Sequence, residues 1–198
     1  MKRYDRIELL DRAIELFRRQ GFNGTGTAEL VAALGVNRKS MYAEFGSKQE
    51  LFEAALERYS EHHLTNVLGP VEAPDAGPDA ILGAFAGYAD ASDGWAQGRG
   101  CLLCNTAVER GALDPGAGRH VAAYLERLTN AFAHALGNGV RTGEVDADAD
   151  IDALAAYFTM ALIGVAACIR AEAPSHQVKA ACAVATGILD DLRPATTD

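Results

Sequence analysis

Apolar residues recur at helical spacing along almost the whole chain, with polar residues between them. In residues 4–20 the apolar positions form one stripe, as in an amphipathic helix: Ile7, Leu10, Ile14 and Phe17. Gly21 is expected to end this helix. The same periodicity predicts further helices over 27–34, 38–44, 47–68, 79–91, 101–110, 115–140, 149–172 and 175–192. Since no strand pattern appears, the sequence predicts an all-α protein of about nine helices.

The connections between these helices follow from local composition. Gly69–Pro78 contains three prolines and two glycines, so a loop or linker is expected there. A second loop is expected over Ser92–Gly100. Asp114 and Pro115 suit the N-cap and the first position of the helix that follows them.

Charge is distributed unevenly along the chain. The net charge is −9, yet residues 1–61 carry 10 Lys/Arg and 10 Asp/Glu, so the remaining residues account for the whole excess. An acidic body joined to a neutral N-terminal unit with local basic clusters is compatible with DNA binding through that unit. Four cysteines do not make a disulfide framework at this length, and the N-terminus lacks the apolar core of a secretory signal. A reducing cytoplasm is therefore the expected compartment.

The segment Ala153–Ile169 has no charge in 17 residues, which is the lower limit for crossing a bilayer. It is rich in alanine rather than leucine, and an acidic run precedes it. We interpret it as a buried helix or a subunit interface, and we expect no membrane association.

Residues 27–46 carry the pattern with the clearest functional meaning. Two short helices are predicted on either side of a glycine turn, with apolar anchors at Leu30, Val31, Leu34, Val36, Met41 and Phe45. Asn37 can cap the second helix, which makes the layout that of a helix-turn-helix. That helix begins with Arg38–Ser40, whose two cations and hydroxyl suit contacts with base edges and phosphates in a major groove. A small helical bundle with an ordinary charged face would show a similar pattern.

Catalytic and metal-binding motifs are missing from the sequence. The five histidines have no metal-ligand spacing such as H-E-x-x-H, and the alternating run Asp146–Asp152 lacks the glycine and closing glutamate of an EF-hand. There is no phosphate loop or nucleophile elbow. We therefore expect no enzymatic activity, cofactor or metal. A helical interaction module that binds no DNA is the alternative class of function.

The stretch GFNGTGTAELVAALGVNRKSMYAEFGSKQELF, residues 21–52, resembles the N-terminal DNA-binding domain of the TetR (tetracycline repressor) family of bacterial regulators. The matching positions are Gly21-Phe22, Leu34-Gly35-Val36, Tyr42, Phe45, Ser47-Lys48 and Leu51-Phe52. The departures from the family pattern are Gly26 at a helix cap, Val31 in place of a small residue and Lys39 in place of glycine. The resemblance implies a helix-turn-helix domain over residues 1–47 and a helical effector-binding and dimerisation domain over residues 48–198.

The resemblance also implies a sequence-specific transcriptional regulator, most often a repressor that a small-molecule or reactive effector releases from a palindromic operator. The residues expected to contact double-stranded DNA are Thr25, Thr27, Arg38, Lys39, Ser40, Tyr42 and Lys48. The effector pocket is expected among the helices between residues 79 and 141. The candidates for its lining are Phe85, Tyr88, Trp95, Cys101, Cys104, Tyr124, Phe132 and Phe158.

A homodimer is expected through the helices 149–172 and 175–192, which are rich in small residues. Small side chains let helices approach closely, and the resemblance implies that two such helices from each subunit form a four-helix bundle. An alanine-rich core within one chain is the alternative explanation of the same composition.

Cys101 and Cys104 lie three residues apart, and three interpretations stay open for them: structural packing, a thiol sensor of oxidants or electrophiles acting through Cys101, or half of a metal site. A helix N-terminus and the nearby Arg99 would both lower the pKa of Cys101 and so make it the more reactive thiol. Cys168 and Cys182 are expected to be buried packing residues.

Overall fold

A computed structural model describes residues 5–109 and 115–194. Within these ranges the chain forms nine helices: α1 Arg6–Gly24, α2 Thr27–Leu34, α3 Arg38–Phe45, α4 Lys48–Glu72, α5 Pro78–Ala91, α6 Leu102–Glu109, α7 Pro115–Thr142, α8 Ile151–Arg170 and α9 Ser175–Asp191. The all-α prediction is confirmed. The proposed cap Asp114 lies outside the described residues, and α7 begins at Pro115 as predicted.

Helix α1 starts at an Asp5 cap, whose carboxylate accepts a hydrogen bond from the Ile7 backbone N–H at 2.9 Å. Its buried stripe is Leu9, Leu10, Ala13, Ile14 and Phe17. Ile7 is 54 % exposed, so its assignment to the stripe is wrong, because it lies in the first turn at the edge of the stripe. Gly21 breaks the helical geometry with a φ of 75°, as predicted, and one further turn follows it.

Helices α2 and α3 form the predicted helix-turn-helix. The turn between them depends on Gly35, whose φ of 68° lies in the left-handed region that glycine tolerates. Asn37 caps α3 by accepting a hydrogen bond from the Ser40 backbone N–H at 2.8 Å. The anchors that hold the pair against α1 and α4 are buried: Leu30, Leu34, Val36, Met41 and Phe45.

Helix α4 is longer than the sequence predicted, because it continues through Pro70 to Glu72. The loop expected over residues 69–78 is therefore confined to residues 73–77. Proline removes one helical hydrogen bond. Leu68 and Val71 on either side of it are fully buried, and the burial of their side chains compensates for that loss.

The C-terminal helices enclose a second part of the core. Phe85, Phe132 and Phe158 from α5, α7 and α8 pack together, with ring centroids 5.9 to 6.4 Å apart. Asp150 caps α8 by accepting from the Ala153 backbone N–H at 3.0 Å. By length and composition, α8 is the one helix of the described residues that is apolar enough to cross a membrane, although a third of its most apolar window is buried inside the chain.

Helices α8 and α9 leave an apolar groove on the surface of the single chain. Val184, which is 75 % exposed, lines this groove together with small residues such as Gly164 and Ala181. Met160 on α8 is also exposed, at 59 %. Cys182 is buried as expected, but Cys168 is exposed. The prediction that Cys168 packs in the interior is wrong for the single chain, because its side chain lies in this groove.

Candidate nucleic-acid interface and internal cavity

The first turn of α3 presents two cations to solvent. Arg38 and Lys39 are exposed, Ser40 is half-buried, and this turn contains no acidic residue. The buried anchors Met41 and Phe45 fix the opposite face of the helix. A positively charged helix N-terminus therefore points outward, which suits a phosphate backbone and base edges.

Tyr42 connects this turn to the start of α2. Its hydroxyl lies 3.4 Å from that of Thr27, and the Arg38 guanidinium lies 5.5 Å from the centre of its ring. The hydrogen bond with Thr27 and the nearby Arg38 lower the pKa of Tyr42 from its usual value of 10.0. The predicted DNA-contacting residues Thr27, Arg38 and Tyr42 thus form one surface cluster.

The surroundings of two other predicted DNA contacts, Thr25 and Lys48, differ from those of this cluster. Thr25 is 1 % exposed and its hydroxyl donates to the Gly21 carbonyl at 2.5 Å, so this side chain is turned inward and does not fit the predicted DNA contact. At the start of α4, the Lys48 ammonium lies 4.1 Å from the centre of the Phe22 ring. Gly26 caps α2 without a side chain, but the Glu29 carboxylate accepts from its backbone N–H at 2.8 Å.

A cavity of about 480 Å³ lies between α4, α5 and the segment that leads into α6. Three of the predicted pocket residues line it, Tyr88, Trp95 and Cys101. Most of the remaining wall is aliphatic or small, with Tyr59, Asn66 and Asp79 as its polar members. A volume of this size is typical of sites for small organic ligands.

The other predicted pocket residues do not line this cavity. Phe85, Phe132 and Phe158 fill the core cluster described above, and Cys104 and Tyr124 lie behind the wall. Four of these five are large aromatic side chains, which fill space rather than leave it, and Cys104 is buried beside one of them, Tyr124. The signal that sequence reasoning missed is the small face of α5: Ala80, Gly83, Ala84, Gly87 and Ala91.

The two cysteines of the C-x-x-C pair occupy different positions at the start of α6. Cys101 is 2 % exposed, lines the cavity and accepts the first helical hydrogen bond through its carbonyl, from the Asn105 N–H at 2.9 Å. Cys104 is buried one turn later, with its Sγ 3.8 Å from the Tyr124 hydroxyl. Its thiol donates to the Cys101 sulfur, and this hydrogen bond, with the helix N–H groups and Tyr59, lowers the pKa of Cys101 from 9.0 to about 6.

Gly100, directly before Cys101, contacts three helices. Its carbonyl accepts two hydrogen bonds from the buried Arg18 of α1, at 2.6 and 3.1 Å. Its φ is +60°, and an added Cβ would lie 2.9 Å from the Ala166 carbonyl oxygen of α8. Only glycine fits this close approach. The cavity wall is thereby tied directly to the helix that supports the helix-turn-helix.

The far end of α6 makes a second connection to α1. The Glu109 carboxylate accepts from the backbone N–H groups of Phe22 and Asn23, at 3.0 and 2.6 Å. These N–H groups are available because Gly21 interrupts the helical hydrogen bonding. We call the contacts of Arg18 with Gly100 and of Glu109 with Phe22 and Asn23 the interdomain joint.

The described residues contain no group of three or more His, Cys, Asp and Glu side chains that could hold a metal ion. Cys101 and Cys104 have tyrosine hydroxyls as their other polar neighbours. The metal interpretation of the C-x-x-C pair thus gains no support from its surroundings.

Known families match both halves of the chain. The model for bacterial regulatory proteins of the tetR family matches residues 9–55, and the model for the tetracyclin repressor-like C-terminal domain matches residues 77–185. The chain is 30% identical to the HTH-type transcriptional regulator YezE of Bacillus subtilis over 96% of this chain and 98% of that protein. It is 28% identical to the HTH-type transcriptional repressor ComR of Escherichia coli, over 85% and 81% of the two chains.

Solved structures share the fold. A cysteine mutant of the TetR-family regulator CifR, bound to 26-base-pair operator DNA, superimposes with a TM-score of 0.80 at 23% identity, over 94% of this chain and 98% of that one. A TetR-family regulator from Cytophaga hutchinsonii gives 0.83 at 16% identity, over 98% and 100%. At these identities the likeness concerns the fold alone.

Proposed function

The chain belongs to the TetR family of bacterial regulatory proteins, and from this premise we propose that it represses transcription as a homodimer on a palindromic operator and leaves the DNA when an effector occupies its cavity. It is a helix-turn-helix transcriptional regulator, and the observation that carries the proposal is the outward-facing first turn of α3 with Arg38 and Lys39. Its place of action is the cytoplasm, where bacterial operators are accessible.

The DNA contacts divide into two kinds. Arg38, Lys39 and Ser40 lie where α3 would enter a major groove and approach base edges. Thr27, Tyr42 and Lys48 flank that turn and suit phosphate contacts, which position the protein without reading sequence. Thr25 is left out of this set because its hydroxyl is already bonded to Gly21.

A gel-shift titration on operator DNA selected from a random pool tests the division. We expect Arg38→Ala to cost about 1–3 kcal/mol and to relax base preference at one position of each half-site. Lys48→Ala should weaken binding to all sequences alike and reduce the salt dependence. Arg193→Ala, the same charge change far from α3, is the control. If neither α3 nor α4 variant differed from this control, the proposed docking would be wrong.

The exposed groove of α8 and α9 supports the homodimer. One helix-turn-helix reads a short site and binds weakly, so twofold pairing on a palindrome supplies the missing affinity. Sedimentation of Met160→Glu and Val184→Glu should show monomers, since Val184→Glu places a charge in the groove and Met160→Glu places one on the exposed apolar surface of α8. Val108→Glu changes an equally exposed side chain on α6 and should leave the dimer intact. Dimers in all three variants would exclude this interface.

The cavity supports an apolar effector. Its wall is mainly aliphatic, and an added Cβ at Gly83 or Gly87 would meet no atom within 4 Å. Gly87→Leu should therefore fill the cavity and abolish binding of a neutral fluorescent probe such as N-phenyl-1-naphthylamine. Gly137→Leu, which adds the same side chain to an open position on α7, should bind the probe normally. Equal binding by both variants would place the probe elsewhere.

The remaining parts of the proposal concern what the protein does not do and how it is divided. We propose that it has no enzymatic activity, since its relatives are regulators. We also divide it into a helix-turn-helix domain of residues 1–47 and an effector and dimerisation domain of residues 48–198. A helical interaction module that binds no DNA is the competing function. Salt-sensitive binding to a selected palindrome separates the two.

A further inference from the structure

We propose that Cys101 and Cys104 form a dithiol site that an organic hydroperoxide in the cavity oxidises to a disulfide, an inference that rests on the proposed role of the cavity as the effector site. The proposal depends on three features: a thiol in the cavity wall, a second thiol in contact with it, and a wall suited to a hydrocarbon group.

The two thiols have different access to the cavity. Cys101 lines it, whereas Cys104 lies behind Cys101 and beside Tyr124. A ligand in the cavity therefore meets Cys101 first, and the Cys104 thiol, which does not line the cavity, is hydrogen-bonded to the Cys101 sulfur. This is the arrangement of an attacking and a resolving thiol.

The presence of the second thiol favours oxidation over simple alkylation. Capture of an electrophilic carbon needs one nucleophilic sulfur, and a buried partner thiol adds nothing to the product. A sulfenic acid, in contrast, condenses with a neighbouring thiol to give a disulfide. Cys104 already donates a hydrogen bond to the Cys101 sulfur, so the two sulfur atoms are neighbours before the condensation begins.

The wall determines which hydroperoxide fits. Apart from Tyr59, Asn66, Asp79 and Cys101, the residues that line it are aliphatic, small or aromatic. Burial of an alkyl or aryl group against such a wall is favourable at roughly 25 cal/mol per Å² of apolar surface. Hydrogen peroxide has no such group and gains nothing from this cavity.

The chemistry balances with the groups present and the oxidant named. The Cys101 thiolate attacks the terminal oxygen of R–O–O–H, the O–O bond breaks, and the alkoxide takes up the proton that Cys101 released on ionising. Tyr59, whose hydroxyl bonds to the Cys101 sulfur and whose pKa burial raises, can donate a hydrogen bond to the departing oxygen. The Cys104 sulfur then attacks the Cys101 sulfur, and the hydroxyl leaves with the Cys104 proton as water. Two thiols and one hydroperoxide thus give one disulfide, one alcohol and one water.

Disulfide formation acts on the interdomain joint. Residues three apart on a helix have Cβ atoms about 5–6 Å apart, whereas a disulfide requires about 3.5–4.5 Å. Closing the bond therefore draws Cys101 toward Cys104 by roughly 1 Å. The carbonyl of Gly100, directly before Cys101, accepts hydrogen bonds from Arg18 of α1. Movement of Cys101 therefore strains this contact between the cavity wall and the DNA-binding unit.

The test uses the full-length protein with Cys168→Ala, which removes the exposed thiol. Cleavage after Arg99 and Arg110 releases a tryptic peptide, residues 100–110, that contains both Cys101 and Cys104. After treatment with cumene hydroperoxide, mass spectrometry of this peptide should show the loss of two hydrogen atoms, reversed by dithiothreitol. Hydrogen peroxide at equal concentration should react about tenfold more slowly, because it lacks the buried hydrocarbon group.

Two variants separate the roles of the thiols. Cys104→Ser keeps a hydrogen-bond donor beside Cys101 but removes the resolving thiol, so dimedone should trap a sulfenic acid at Cys101. Cys101→Ser should give neither product. An unoxidised peptide, equal rates for the two peroxides, or a sulfenic acid at Cys104 would each overturn the proposal. Operator binding is also measured on the same samples before peroxide is added. If the protein binds its operator but forms no disulfide with peroxide, only this inference is refuted. If it does not bind DNA at all, only the proposed function is refuted.

Discussion

Helices α3 and α6 are both eight residues long, yet their N-termini face opposite environments. The first turn of α3 is capped by an exposed Asn37 and carries Arg38 and Lys39 into solvent. The first turn of α6 begins at the buried Cys101 and faces the cavity. The same positive helix end thus faces solvent in one case and a buried thiol in the other.

The largest expected effect concerns the thiolate at α6. The Cys104 hydrogen bond is the first cause that lowers the pKa of Cys101 to about 6. Cys104→Ala removes it, and we expect alkylation of Cys101 by iodoacetamide at pH 7 to slow by roughly 10- to 100-fold as that pKa moves back toward 9.0. Rates are followed on the tryptic peptide 100–110.

The pH profile gives the sign of this effect. Because the pKa of Cys101 is lowered, the folded state favours the thiolate, and its reactivity should be constant above pH 7 and fall as pH drops through about 6. The linked stabilisation of the fold is complete above pH 9 and is lost progressively as the pH falls from 9 to about 6. If the reactivity of Cys101 in the unsubstituted protein rose only near pH 9, the start of α6 would not stabilise a thiolate. The proposed difference between α3 and α6 would then be wrong.

Gly100→Ala tests whether α6 is tied to the DNA-binding unit. The added Cβ would lie 2.9 Å from the Ala166 carbonyl oxygen, and the φ of +60° is unfavourable for alanine. We expect a loss of about 2 kcal/mol in the free energy of unfolding, measured by urea denaturation. Gly137→Ala on α7 is the control, since it should stabilise its helix slightly. Equal stability of both variants would show that the close packing around Gly100 is unimportant.

The two helices also differ in how far their roles could be predicted from sequence. The environment of α3 is local: Gly35, Asn37 and the spacing of Met41 and Phe45 determine its turn, its cap and its buried face. The environment of α6 depends on residues distant in sequence, because Gly100 meets α1 and α8. Local patterns predict the first kind of site and not the second.

The cavity shows the same limit in a different form. The aromatic residues predicted to line it, Phe85, Phe132 and Phe158, pack against one another instead. The wall depends on the continuation of α4 through Pro70, which local composition predicted as a loop. Burial of Leu68 and Val71 decides that continuation, and burial is a property of the whole fold.

The contact between α6 and α1 supplies a third prediction of intermediate size. Glu109→Gln keeps the shape of the side chain but removes the charge that accepts from the Phe22 and Asn23 N–H groups. We expect a loss of about 1 kcal/mol in unfolding free energy, since charge-assisted hydrogen bonds are about twice as strong as neutral ones. Glu126→Gln makes the same change on α7, outside the interdomain joint, and should have little effect. An unchanged stability in Glu109→Gln would leave Gly100 as the main connection to α1.

The smallest expected effect lies at the α3 cap. Asn37→Ala removes the acceptor for the Ser40 N–H, and such losses cost about 1 kcal/mol or less at an exposed helix start. The free energy of operator binding should weaken by a similar amount, because the first turn that carries Arg38 and Lys39 becomes less ordered. Titration of labelled DNA measures this loss of affinity. Asn37→Asp restores a capping acceptor but adds a negative charge beside the DNA. If Asn37→Asp recovers stability and still binds DNA weakly, operator affinity depends on the charge at the N-terminus of α3 as well as on the shape of the capped turn. Full recovery of binding would show that the shape of the turn is sufficient.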